Sequence, residues 1–154
     1  MHAAVADWTG RVDAKASFAL AAESAAIGVV LKLREAPGPY SGLPDGPAEW
    51  LYWAGIACLS AAILCALLVV RPRLRARHLR AEAPENFLYF GHLRYWEPDA
   101  LQRKLTDQSM LAPLCTNIIN ASKVAWVKHR CVQASLTLTV PASGFLVAAA
   151  LLDT

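Results

Sequence analysis

Trp50 to Val70 reads WLYWAGIACLSAAILCALLVV, without a single charged side chain. About 20 apolar residues in an α-helix cross ~30 Å of hydrocarbon, and a helix leaves no backbone N–H or C=O for lipid to satisfy. Cys131 to Leu152, CVQASLTLTVPASGFLVAAALL, is of similar length and equally free of charge, which makes it a second span on the same grounds. Between Ala16 and Leu31 lies a shorter and weaker segment, ASFALAAESAAIGVVL, with Glu23 in the middle. A carboxyl group at the centre of a span costs ~2.5–3.5 kcal/mol on the insertion scale, and less when it is paired within a bundle. The segment is rich in Ala, Ser and Gly, and Ser24 and Gly28 have the small-xxx-small spacing of closely packed membrane helices. It is read as a transmembrane helix, the other reading being an amphipathic helix lying in the interface. It lacks a compact positive stretch at its start and a stronger span follows closely, so it is not read as a cleaved signal peptide.

The composition agrees: 56% of residues are apolar and 18% charged, and the mean hydropathy is positive, whereas a soluble globule carries about 25% charged residues. The expectation is an all-α membrane protein with three transmembrane helices and a small helical cytosolic module between the second and third. Its divisions are an N-terminus over 1–15, spans over 16–33, 50–70 and 131–152, a loop over 34–49 and a module over 71–130. The net charge of +3 hides an asymmetry, since Arg71 to Arg130 holds 11 of the 15 Lys and Arg while Lys32 to Glu49 holds 2. The positive-inside rule then places the N-terminus and residues 71–130 in the cytosol and the loop, rich in Pro and Gly, outside. Trp50, Tyr52 and Trp53 read as an interfacial aromatic belt. Cys58, Cys65, Cys115 and Cys131 show neither a CxxC pair nor a metal-ligand spacing with His, so they are read as reduced thiols, with no disulfide framework and no metal site.

The module opens with Arg71, Arg73, Arg75, Arg77 and Arg80. Such a run beside a span is a topology determinant and attracts anionic headgroups; nothing beside it resembles a nucleic-acid-binding module. Phe87, Tyr89, Phe90, Tyr95 and Trp96 then cluster between Pro84 and Pro98. Glu97 and Pro98 predict a helix start with Asp99 in the first turn, and a further helix is expected to begin near Met110 and continue into the third span. On that helix Lys123, Trp126 and Arg130 stand at i, i+3 and i+7, a basic face with an aromatic ring that is able to stack a base and bind a phosphate. The plainer reading makes Trp126, Lys128 and Arg130 interfacial anchors. With Asn86, Phe90 and His92, these three form the candidate anion-binding set. Glu23, Ser24, Gly28 and Pro141 form the candidate membrane-active set. Glu23 belongs either to a cation-permeable or proton-coupled assembly, or to a packing contact in which it bonds a Ser or Thr of another helix. Ser135, Thr137, Thr139 and Ser143 add a polar seam to the third span. No Gly-rich phosphate loop, Ser-His-Asp order, paired catalytic carboxylates or HExxH is present, so the chain is not read as an enzyme and no residue is assigned a catalytic role.

Several stretches resemble one family. Asp13 to Ser17 (DAKAS) leads into the first span, Val70 to Arg73 (VRPR) closes the second, Asn86 to His92 reads NFLYFGH, and Ala121 to Arg130 reads ASKVAWVKHR. Their order resembles the membrane effector of Pycsar, the bacterial antiphage system built on cyclic pyrimidine nucleotides. The resemblance implies a two-component defence in which a partner cyclase makes cUMP or cCMP on infection. The effector answers by impairing the inner membrane, and the cell stops growing before phage mature. It implies an activating nucleotide rather than a cofactor, and the lipid bilayer as a partner; a homo-oligomer is expected because one such chain cannot enclose a pore, and no nucleic-acid partner is expected. The resemblance maps no ligand residues. The alternative from another class is a non-enzymatic anchor or regulatory subunit that docks a cytosolic partner.

Overall fold

The computed structural model describes residues 2–35, 37–43, 46–71, 83, 87–88, 90–107 and 109–152. The helices among them are α1 (His2–Glu35), α2 (Pro47–Val70), α3 (Phe90–Leu93), α4 (Pro98–Asp107) and α5 (Leu111–Leu152). No strand occurs among the described residues. Three of the helices are long and apolar enough to cross a membrane, over Asp7–Glu35, Pro47–Val70 and Leu111–Leu152. The chain is therefore an all-helical membrane protein with short helices between its second and third spans.

Local chemistry sets the ends. Lys32 and Arg34 in the last turn of α1 complement the negative end of its dipole. α2 opens on Pro47 with Glu49 in its first turn and stops at Arg71, whose N–H still bonds Leu67 O, because Pro72 has no N–H with which to continue. α4 begins at the Pro98 and Asp99 start read from the sequence. α5 is the longest element: at 1.5 Å per residue its 42 residues reach about 63 Å, twice the hydrocarbon thickness.

The chain divides into two compact units, Met1–Trp8 with Pro72–Trp126, and Thr9–Arg71 with Val127–Thr154. The second unit is a three-helix bundle. Asp13 pairs with Lys128 and Glu23 bonds Ser135 and Thr139, so residue numbers on α1 and α5 rise together and the two helices run parallel. α2 runs against both: its last turn puts Val69 with Ala16 and Val132, whereas its first turns put Ala48 and Tyr52 with Tyr40, Leu146 and Ala149. Most residues buried between the helices are small, including Ala16, Ala19, Ala62, Ala66, Ala142 and Ala149. In lipid, where the hydrophobic effect no longer drives helices together, close backbone approach of this kind supplies the attraction. Gly55 is the tightest point: a Cβ there would lie 2.7 Å from Leu146 Cγ and 3.2 Å from Ala142 O.

The far end of the bundle is tied by aromatic and charged groups. Tyr40 donates to Leu146 O at 3.1 Å, and burial raises its phenol above the ordinary value, which keeps it a donor. Arg34 lies over the rings of Tyr52 and Trp53, 4.7 and 5.3 Å from their centroids, and pairs with Glu49 at 3.3 Å. Trp50 and Trp53 face outward as a belt requires. Tyr52 does not: it is fully buried against Tyr40, because α2 turns that position toward the bundle.

The other unit has a small aromatic core. Trp96 Nε1 donates to Ala83 O at 2.8 Å, and Phe87 meets Trp96 edge-on with ring centroids 6.4 Å apart. Ala83, Phe87 and His92 are buried. On α4, Leu101 is half-buried, whereas Leu105 stands exposed.

Candidate functional site: a carboxyl clasp in the bundle

Glu23 sits on the face of α1 that meets α5 and is 3% exposed. Its Oε1 accepts from Ser135 Oγ at 2.7 Å and from Thr139 Oγ1 at 2.8 Å, and Ser135 is itself fully buried. The spacing explains the convergence, since residues four apart on α5 lie one above the other on one face. Oε2 is buried without a hydrogen-bond partner among the described residues. Val132 packs with Val69 in the last turn of α2, and from that level Ser135 and Thr139 lie about 5 and 11 Å further in, at 1.5 Å per residue. The carboxyl group therefore lies well inside the span, where a polar group without partners is costly.

Toward the nearer end of the bundle, Lys128 Nζ bonds both carboxylate oxygens of Asp13, at 2.6 and 2.8 Å. The Lys128 side chain is only 13% exposed, so solvent screens this pair less than an ordinary surface pair. The two contacts hold α1 to α5 at one register, Asp13 being offset from Lys128 by 115 residues and Glu23 from Ser135 by 112.

The remaining candidates fall elsewhere. Ser24 and Gly28 face out of the bundle, and a Cβ added at Gly28 would meet nothing within 4 Å. Pro141 also faces outward, within α5. Its missing N–H leaves Thr137 O without the usual helical donor. Thr137 and Ser143 turn their hydroxyls onto the carbonyl four residues back, at 2.7 and 2.9 Å, while Thr139 Oγ1, whose proton goes to Glu23, lies 3.1 Å from Ser135 O. Such back-bonding combined with a proline makes this stretch of α5 compliant.

Of the anion-binding candidates, Lys123 and Trp126 stand exposed on α5 in the unit that contains α3 and α4, and His92 of the same unit is 5% exposed. Arg130 is exposed on the part of α5 that belongs to the bundle. Lys123, Trp126 and Arg130 are thus related by their periodicity along one continuous helix. Asn86 lies outside the described residues, as do Tyr89 and Arg73, Arg75, Arg77 and Arg80, and so does the side chain of Phe90. A shallow indentation on α4 is lined by Asp99, Gln102, Arg103, Thr106 and Asp107. Its two carboxylates make it a poor seat for an anion.

Sequence reasoning missed the Asp13–Lys128 pair, for which no local signal exists: the partners are 115 residues apart. The hydroxyls at 135 and 139 were visible as a seam, but their pairing with Glu23 needed the parallel register of α1 and α5.

Fold and site together define a class, a small helical membrane protein whose first and third spans are joined by polar contacts inside the bundle. The chain belongs to the Pycsar effector family: the profile of PycTM, the Pycsar effector protein domain, matches residues 1–153. It is thus a membrane protein with the effector role of a Pycsar antiphage system. No curated protein and no solved structure matches it.

Proposed function

We propose that the protein is the non-enzymatic membrane effector of its Pycsar system, switched on by cUMP or cCMP from a partner cyclase and acting by impairing the inner membrane. The observation that carries this reading is the family match over residues 1–153 in a chain with three candidate spans. The excess of Lys and Arg after the second span favours an N-terminus and residues 71–130 in the cytosol, where the nucleotide is made. The parallel course of α1 and α5 supports it, because the N-terminal ends of both helices then emerge on one side.

Lys123, Trp126 and Arg130 are the first residues to test as the ligand face, since an anionic nucleotide needs accessible positive charge and a stacking surface. Asn86, Phe90 and His92 are proposed to complete it, His92 from a buried position. One copy encloses no pore, so the damaging form is an oligomer. Its contact is the outward face of α1, where Ser17, Ala21, Ser24, Ala25 and Gly28 are all small and all exposed.

Membrane potential is the test, read in cells that express the chain with an active cyclase or an inactive one. Depolarisation only with the active enzyme is expected, and Lys123→Ala or Arg130→Ala should abolish it while the protein still inserts. Silence with both cUMP- and cCMP-forming cyclases would overturn the proposal in favour of an anchor for a cytosolic partner.

A further inference from the structure

We infer that α5 has two registers along α1, one helical turn apart, and that the Asp13–Lys128 pair selects the register seen here. The inference rests on the proposed effector function and names the motion through which it would be regulated.

The hydroxyls of α5 carry the argument. Ser135, Thr139 and Ser143 recur every fourth residue, and Glu23 uses only the first two. If α5 moves by about one turn, four residues or ~6 Å with a rotation of about 40°, toward its own N-terminal end, Thr139 and Ser143 take the places of Ser135 and Thr139. Thr139 already donates to Glu23, and Ser143, which now donates to Thr139 O at 2.9 Å, is freed by a rotation about χ1. Glu23 then keeps two donors in either register. The opposite movement would offer it Cys131 and Ser135, and a thiol is a weak donor.

Other contacts across the bundle divide by whether they tolerate such a step. At the far end Tyr40 donates to a backbone carbonyl of α5, that of Leu146, and the step presents the carbonyl of Ala150 in its place, while the residue four places after the buried Ala149 is Asp153, whose charge opposes the step. Asp13 has no such second partner, because Val132 would arrive in place of Lys128. The Glu23 clasp is therefore indifferent to the step, whereas the ion pair opposes it. Leu146 would also move into the place of Ala142, which lies against Gly55 as well, with Ala150 taking the place of Leu146, so the tightest contact between α2 and α5 would have to repack. The nucleotide drives the step by binding the shifted register more tightly than the resting one.

Cysteine pairs test this in a parent with Cys58, Cys65, Cys115 and Cys131 changed to Ala, co-expressed with active or inactive cyclase. Ala16 and Val132 pack together with the ion pair left intact, so an oxidised A16C/V132C pair locks the resting register. It should abolish cyclase-dependent depolarisation, and dithiothreitol should restore it. Leu136 replaces Val132 after the step, so A16C/L136C should crosslink several-fold faster with the active cyclase. Lys128→Ala should depolarise cells with the inactive enzyme. If the parent responds but the locked A16C/V132C chain responds equally, or A16C/L136C crosslinks at one rate with either cyclase, the two-register inference falls and the proposed function stands. Silence of the unmodified chain with both cUMP- and cCMP-forming cyclases overturns both.

Discussion

At the scale of single residues, Glu23 and Gly55 carry the sharpest consequences. Glu23 is a carboxyl group inside a span whose partners are two hydroxyls of α5. Removing both donors strands a buried polar group, so S135A/T139V is expected to lose ~2–4 kcal/mol of stability in detergent. Glu23→Gln keeps an acceptor for the hydroxyls and adds a donor at the position of the unpartnered oxygen, so it should lose less. Thermal unfolding of the purified chain ranks the variants, and equal losses would show that the hydroxyls do not hold the carboxyl group. At Gly55 even one methyl group meets Leu146 at 2.7 Å. Gly55→Val is expected to cost ~1–3 kcal/mol by overpacking, and Leu146→Ala in the same chain should recover part of it. The importance of Glu23 was legible, because a carboxyl group in an apolar segment demands a partner. That of Gly55 was not, since a lone glycine in a helix says nothing about what approaches it.

At the scale of elements, α5 departs most from a simple span. It runs unbroken from Leu111 to Leu152, as the expected continuation of a helix starting near Met110 into the third span required. Within the membrane it carries Pro141 and two back-bonded hydroxyl residues, Thr137 and Ser143, all of which loosen the helical ladder. Proline in a helix interior is ~3 kcal/mol less favourable than alanine, so Pro141→Ala should raise the midpoint of thermal unfolding. If compliance is part of the response, the same change should weaken nucleotide-dependent depolarisation, and a variant that is stabler yet fully active would show that compliance at Pro141 plays no part in it. The aromatic segment before α4 is an element of another kind: Phe87 and Trp96 build a core, held by the Trp96 bond to Ala83 O. Trp96→Phe removes that bond and should cost about 1 kcal/mol, seen as faster hydrogen exchange over residues 87–96. The sequence marked this segment as chemically distinctive without revealing that Phe87 and Trp96 face inward while Tyr95 is exposed, because a run of aromatics is equally suited to a ligand surface and to a core.

At the scale of the whole molecule, orientation is the property most open to test. An impermeant maleimide should label the exposed Cys115 only once the inner membrane has been opened, since the proposed orientation puts it in the cytosol. Labelling of intact spheroplasts would reverse the orientation. The spans themselves were determined by the sequence alone: the charge-free runs Trp50 to Val70 and Cys131 to Leu152 admit no other stable structure in lipid, and the charge bias between the loops supports one orientation. Family membership was legible too, from the order of short motifs that the PycTM profile then matched over residues 1–153. Only the tertiary structure decided which polar groups meet. Asp13 with Lys128, Glu23 with Ser135 and Thr139, and Tyr40 with Leu146 O are all partners far apart along the chain. The physical reason is that hydropathy depends on each residue's own transfer free energy and sums along the chain. A hydrogen bond between helices depends on their relative register and rotation, which are set by the packing of small residues around the whole bundle.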